Sequence, residues 1–214
     1  MDWHAWHGAY DSPDSALTRR LHTVRERIRS VLDAAPPGPV RVVSVCAGQG
    51  LDLIGALADH PRRADVSARL VELDPRNTRA ARASAARLGL SGVEVVTGDA
   101  SLTDAYAGAV PADLVLMVGV FGNVTVEDIE RTTDFLTRLC APGGTVIWSR
   151  HRKAPDVFPR ICGRLEERGF ARVWLSDPGA RQGIGVHRFT GEPRPLEAGA
   201  RMFTFVGYDV LGTG

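Results

Sequence analysis

The chain has 214 residues, of which 44% are hydrophobic and 24% charged, a globular composition that excludes a disordered or fibrous protein. Its 26 basic and 25 acidic side chains nearly cancel to a net charge of +1, so no global field selects a nucleic acid or an anionic membrane as partner. The longest uncharged stretch covers only residues 114–126, well short of the roughly 20 residues that a membrane-spanning helix needs.

The opening segment, MDWHAWHGAYDSPD, has an acidic second residue and no apolar run, unlike a secretory signal. Cys46, Cys140 and Cys162 are odd in number and far apart, which argues against a disulfide frame or a zinc knuckle and predicts a reducing, cytoplasmic setting with no bound metal. From Ser12 to about Ala34 the spacing predicts a helix, with Ser12 as N-cap, Pro13 in the first turn, and Leu17, Leu21, Val24, Ile28 and Val31 on one apolar stripe. Pro36, Pro37, Gly38 and Pro39 break it, and a different pattern follows. Short apolar runs at 40–45, 67–73, 93–97, 112–118 and 145–149 read as strands, separated by helical stretches at 51–58, 77–88 and 126–140. Strand and helix alternating in this way predict a Rossmann-like, doubly wound, mostly parallel sheet with helices on both faces. The last third changes again. A helix is expected over 155–169, ending at a glycine, and then three strands in succession, 172–175, 183–189 and 202–208, which imply an antiparallel C-terminal edge. The expectation is one α/β domain with about seven strands, in which residues 1–35 form a lid segment and helix and 36–214 the main body.

The segment VVSVCAGQG ends a strand in a small-residue turn and opens a helix near Leu51. Gly48 and Gly50 let the backbone approach a ligand closely, and the exposed N–H groups there favour electron-rich groups. The next strand, ARLVELDP, sets Glu72 at its carboxyl end, where an acidic side chain can accept from both hydroxyls of an adenosine ribose; alone, such a residue could equally be solvated or cap a helix. The third glycine of a dinucleotide fingerprint is replaced by Leu53, which counts against NAD and leaves S-adenosylmethionine as the better-fitting adenosine ligand. VEVVTGDA places Asp99 beside Ala100, a carboxylate that could accept from an adenine amine or merely shape a turn.

On these residues the chain resembles the class I S-adenosylmethionine-dependent methyltransferases over about residues 40–149. The resemblance implies that Ala47, Gly48 and Gly50 cradle the methionine part, that Glu72 holds the ribose with Leu73 against the adenine, and that Asp99 and Ala100 meet the adenine edge. DLVLMVGVFGNV, with Gly119 on the cofactor side, and APGGTVIW match the family in order and spacing. Ser44 and Cys46 stand where the family often has an acidic residue and a glycine, so Asp52, on the first turn of the next helix, becomes the candidate partner of the methionine amino group. WHGAYD, SVCAGQGLDL, GVFGNV and WSRHRKAPD together resemble a group of small bacterial methyltransferases whose acceptor is unassigned.

Methyl transfer from a sulfonium is an in-line displacement, helped most by holding the acceptor close and excluding water. In a doubly wound sheet the acceptor should lie beyond the carboxyl ends of the strands, at 119–123 and 150–153. His151 is the candidate general base, or an exposed residue among arginines. The cluster of Arg150, His151, Arg152 and Lys153 would suit an anionic acceptor or form a solvated loop. Phe121 and Asn123 are candidate substrate contacts, Asn123 alternatively a helix cap. Trp3, His4, Trp6, His7 and Tyr10 could lid the site, with His7 and Tyr10 on the substrate, or form a surface or homodimer contact. The expected partner is a small-molecule acceptor; nucleic acid is disfavoured, since no Asn/Asp-Pro-Pro-aromatic run follows the fourth strand. Competing readings are an RNA methyltransferase, an NAD(P)-dependent oxidoreductase and a non-catalytic S-adenosylmethionine binder.

Overall fold

The protein is described by a computed structural model over residues 15–206. His7, Tyr10 and the other aromatic residues of the opening segment lie outside the described residues. The first described helix, α1 (Ala16–Ala34), is capped by the Ser15 side chain, which accepts from the Thr18 N–H at 3.0 Å. Ser15 is extended, and its hydroxyl reaches the third helical residue; Ser12 and Pro13, the expected cap and first-turn residue, lie outside the described residues. Val24, Ile28 and Leu32, one turn apart, form the buried stripe of α1.

The body follows the predicted alternation: β1 (Val40–Val45), α2 (Leu53–Leu57), β2 (Val66–Glu72), α3 (Pro75–Arg87), β3 (Val93–Thr97), β4 (Ala112–Met117), α4 (Val126–Leu139), β5 (Cys140–His151), α5 (Phe158–Glu167), β6 (Phe170–Leu175) and β7 (Gln182–Phe189). These strands make one seven-stranded sheet in the order β3-β2-β1-β4-β5-β7-β6. The first five strands pair in parallel, whereas β7 runs antiparallel to both β5 and β6. The chain order reverses between β1 and β4, and a ligand crevice opens at such a switch point.

Side chains alternate across the pleat, so each face has its own core. Val43, Val45, Val115, Met117, Val146 and Trp148 face α4 and α5. Val42, Leu70, Leu114, Leu116 and Ile147 face α1, α2 and α3. Trp148 is fully buried, with its ring 4.5 Å from Phe158 and edge-on to Phe121 at 5.9 Å. Gly185, its cross-strand partner on β7, leaves room for it; a Cβ there would collide with the indole. Among the described residues no helix is long and apolar enough to cross a membrane.

Two expectations on the C-terminal third need correction. β5 begins at Cys140, earlier than 145, because the Pro-Gly-Gly segment is absorbed into the strand. Over its described residues, 202–206, the third C-terminal run is not a strand. Its backbone bonds to loops and to α4: the Met202 N–H donates to the Ser101 carbonyl at 2.8 Å, the Thr204 N–H to Asp128 Oδ2 on α4 at 2.7 Å, and the Val206 N–H to the Asn123 carbonyl at 3.0 Å. With β6 on the sheet edge, this segment becomes a strap across the carboxyl end of the sheet.

Candidate functional site

The strand ends and the strap enclose a cavity of about 530 Å³. Its floor is formed by Ser44 and Cys46 after β1, Glu72 and Leu73 after β2, Asp99 and Ala100 after β3, and Gly119 after β4. Asn123, Arg150, His151 and Lys153 stand at the β4 and β5 end. α1 walls one side with Leu17, Arg20 and Leu21, and the strap walls another with Phe203 and Phe205.

The glycine loop takes its shape from residues on the left-handed side of backbone space: Cys46, Gly48 and Gly50 have φ of 53°, 57° and 66°. Gly50 does not line the cavity. It turns the chain where a Cβ would come within 2.8 Å of both Ile54 and Leu70, so its part is to bring the helix against the strand. Glu72 is buried and ties this loop together, Oε2 accepting from the Gly48 N–H and Oε1 from the Asp74 N–H, each at 2.9 Å. Leu73 is 68% exposed and offers a bare apolar surface at the cavity rim.

Asp52 caps α2, accepting from the Leu53 N–H at 2.7 Å. Burial pushes its carboxyl up, an effect that the Leu53 N–H and the charges of Arg20 and Arg25 only partly offset. Arg20 reaches across the cavity from α1, so an acidic and a basic group face the methionine end of the predicted cofactor site. At Asp99 burial raises the carboxyl, but the hydroxyl and N–H of Ser101 and the guanidinium of Arg201 outweigh it and hold it below the usual range. Arg201 Nη1 lies 3.0 Å from Asp99 Oδ2, so the strap is pinned to the β3 end.

The β4 and β5 ends are stapled to each other. The Gly119 N–H donates to Ser149 Oγ at 3.0 Å, Arg150 donates to the Phe121 carbonyl, and Asn123 Nδ2 donates to the Gly119 carbonyl at 2.7 Å. Phe121 itself is fully buried against Trp148 and does not line the cavity, so only its backbone touches the site. His151 is held low by burial, reinforced by the charges of Arg150 and Lys153 and opposed by Asp156.

Of the described residues singled out from the sequence, Cys46, Ala47, Gly48, Asp52, Glu72, Leu73, Asp99, Ala100, Gly119, Asn123, Arg150 and His151 line this one cavity. Sequence reasoning missed Arg20, Asn77, Arg201, Phe203 and Phe205. Only Arg20 carried a signal, as an arginine set within the apolar stripe of Leu17, Leu21 and Val24. Asn77, on α3, is fully buried beside the glycine loop, and its Nδ2 donor has no partner among the described residues.

No sequence-family model and no curated protein sequence matches the chain. Solved structures do resemble it. An O-methyltransferase family protein from Burkholderia thailandensis is 18% identical with a TM-score of 0.64, over 81% of this chain and 56% of that one. The CurJ carbon methyltransferase is 15% identical with a TM-score of 0.63, over 86% and 58%. The fold is that of the class I S-adenosylmethionine-dependent methyltransferases. A third methyltransferase of this fold, the magnesium protoporphyrin IX methyltransferase of Synechocystis, was solved with bound S-adenosylmethionine; it is 16% identical with a TM-score of 0.58, over 79% of each chain. The chain spans little more than half the length of the first two neighbours.

Proposed function

We propose that the protein is an S-adenosylmethionine-dependent methyltransferase acting on a small acceptor. The observation that carries this reading is the convergence on one cavity, at the switch point of a methyltransferase-type sheet, of the glycine loop, Glu72, Asp99 and the Asp52–Arg20 pair. The residues fit the adenosyl group. Glu72 supplies carboxylate oxygens for ribose hydroxyls, and the buried Asn77 Nδ2 is a donor that a hydroxyl oxygen would satisfy. Leu73 and Ala100 offer apolar surface to a planar base, with Asp99 at its edge. Asp52 and Arg20 complement the ammonium and carboxylate of an amino-acid moiety.

When bound, the sulfonium supplies an electrophilic methyl group. The protein's part is to bind, orient and keep water away: α1, Phe203 and Phe205 cover the site, and the stapled β4–β5 loops hold the acceptor wall rigid. The test is calorimetric titration with S-adenosylhomocysteine, S-adenosylmethionine and NADH on the wild type and on Glu72→Gln. Micromolar binding of the adenosyl ligands alone, weakened in the variant, is the expected result. Binding of NADH, or of none of the three, would sink the reading.

A further inference from the structure

We propose that the methyl acceptor is a small organic acid, and that a carboxylate oxygen held by Lys153 and the Nε2–H of His151 is the atom methylated. The inference rests on the cofactor reading above and specifies the substrate class of the same cavity.

Charge is divided along the cavity. The three carboxylates that line it, Asp52, Glu72 and Asp99, all belong to the β1–β3 end. The β5 end presents Arg150, His151 and Lys153, with the neutral amides of Asn123 and Gln182 beside them. The nearest acidic side chain in sequence, Asp156, is engaged by Arg152 at 3.2 Å, and that guanidinium is stacked 3.8 Å above the Phe158 ring. Lys153 is exposed at the mouth, and among the described residues it has no ion pair. An anionic ligand would complement the Lys153 ammonium and a donor on the His151 ring beside it.

The hydrogen bonding of His151 sharpens the point. Its Nδ1 accepts the Lys153 N–H at 3.3 Å, so the lone pair that a general base would use is already engaged. The neutral ring then carries its proton on Nε2 and is a donor there. The ring lies against Gly122, where a Cβ would touch Cδ2 at 3.5 Å, so it has a fixed seat on the β4 loop. Burial also keeps the Cys46 thiol protonated. Among the described residues, no side chain at the acceptor end is therefore poised to take a proton. A hydroxyl, thiol or ammonium acceptor has a proton to shed; a carboxylate at neutral pH has none. The step balances without a base: the carboxylate oxygen bonds to the methyl carbon as the sulfonium S–C bond breaks, leaving an ester and a neutral thioether. Leu17, Leu21, Phe203 and Phe205 supply an apolar wall for the rest of the acid.

The test begins with S-adenosylhomocysteine calorimetry on the same preparation. If that ligand fails to bind, the cofactor reading has failed, which is distinct from failure of the acid proposal. Benzoate, cinnamate and octanoate are then titrated into the saturated complex beside their primary amides. The acids should bind at least about tenfold more tightly, and Lys153→Ala or His151→Ala should each weaken them about tenfold without changing S-adenosylhomocysteine affinity, with His151→Asn restoring part of the loss. Methyl-labelled S-adenosylmethionine should give a product that releases labelled methanol in mild alkali. Acids that bind no better than amides to the loaded complex overturn the proposal, as does acid binding without transfer, or a transferred label that survives alkali. So does a rate that falls as pH drops from 8 to 5.5. The groups facing the His151 ring are Arg150, Lys153 and Asp156, and a donor at this position functions whether or not the ring gains a second proton, whereas a base does not.

Discussion

The two halves of the cavity are built in opposite ways. The β1–β3 half holds all three lining carboxylates, two of them faced by Arg20 and Arg201, and is wired largely by contacts among neighbouring loops: Glu72 to Gly48 and Asp74, Asp52 to Leu53, Asp99 to Ser101. The β4–β5 half is basic and assembled from distant parts of the chain, Gly119 with Ser149, Phe121 with Arg150, and Asn123 with Val206. On the function proposed above, the difference teaches that an adenosyl group, which is invariant, can be met by a compact sequence signature, whereas an acceptor is met by a wall whose chemistry depends on which loops the sheet brings together.

Four measurements would break or sharpen this contrast. The largest effect is expected at Trp148, in the core behind the β4–β5 half: Trp148→Ala empties a fully buried site against Phe121 and Phe158 and should cost about 3–5 kcal/mol in denaturant unfolding. Equal loss of adenosyl and acceptor binding in surviving folded protein would show that the halves are not independent.

Next comes pH. His187 lies beneath Trp148, its Nδ1 accepting the indole N–H at 3.1 Å, and burial lowers it from 6.5 to about 4, with Glu166 and Arg172 exerting smaller and opposite effects. A histidine depressed in the folded state binds fewer protons there than when unfolded. Stability is therefore intact above about 6.5 and drains away as pH falls towards about 4, by on the order of 3 kcal/mol in all. His187→Gln should flatten that slope in urea melts between those pH values; an unchanged slope would place the acid sensitivity elsewhere.

In the other half, Glu72→Ala removes the acceptor of two loop N–H groups as well as the predicted ribose partner. S-adenosylhomocysteine affinity should fall about hundredfold, or about 2.7 kcal/mol. Affinity within threefold of wild type would detach Glu72 from the cofactor. The smallest effect is expected where the halves meet. Arg201→Ala frees the strap from Asp99, an exposed pair that contributes about 0.2–1 kcal/mol, while letting the Asp99 carboxyl rise towards its ordinary value. Unfolding melts should barely change, and faster amide exchange at 202–206 would locate the loss in the strap.

Much of the architecture was legible in residue order. β1 and β3 have the predicted limits, and the other parallel strands and the helices differ at their ends only, because periodicity marks burial while end residues are decided by hydrogen bonding. Met202 and Phe203 misled for a physical reason: apolar residues at a domain surface look alike whether they enter a sheet or cover a cavity. Phe121 misled in the same way, since position in a loop does not say whether a side chain turns inwards.

By itself, then, the sequence determined the doubly wound sheet and picked out the strand-end residues of the cavity that we propose to face an adenosyl group, because glycines with special backbone angles and an acidic residue at a strand end are local requirements. Tertiary structure decided what no local pattern encodes: that Arg20, Asn77, Arg201 and Phe203 meet in one cavity, that Phe121 leaves it, and that the Nδ1 of His151 is occupied. Those outcomes depend on packing and hydrogen-bond partners remote in sequence, and such partners exist only once the chain has closed on itself.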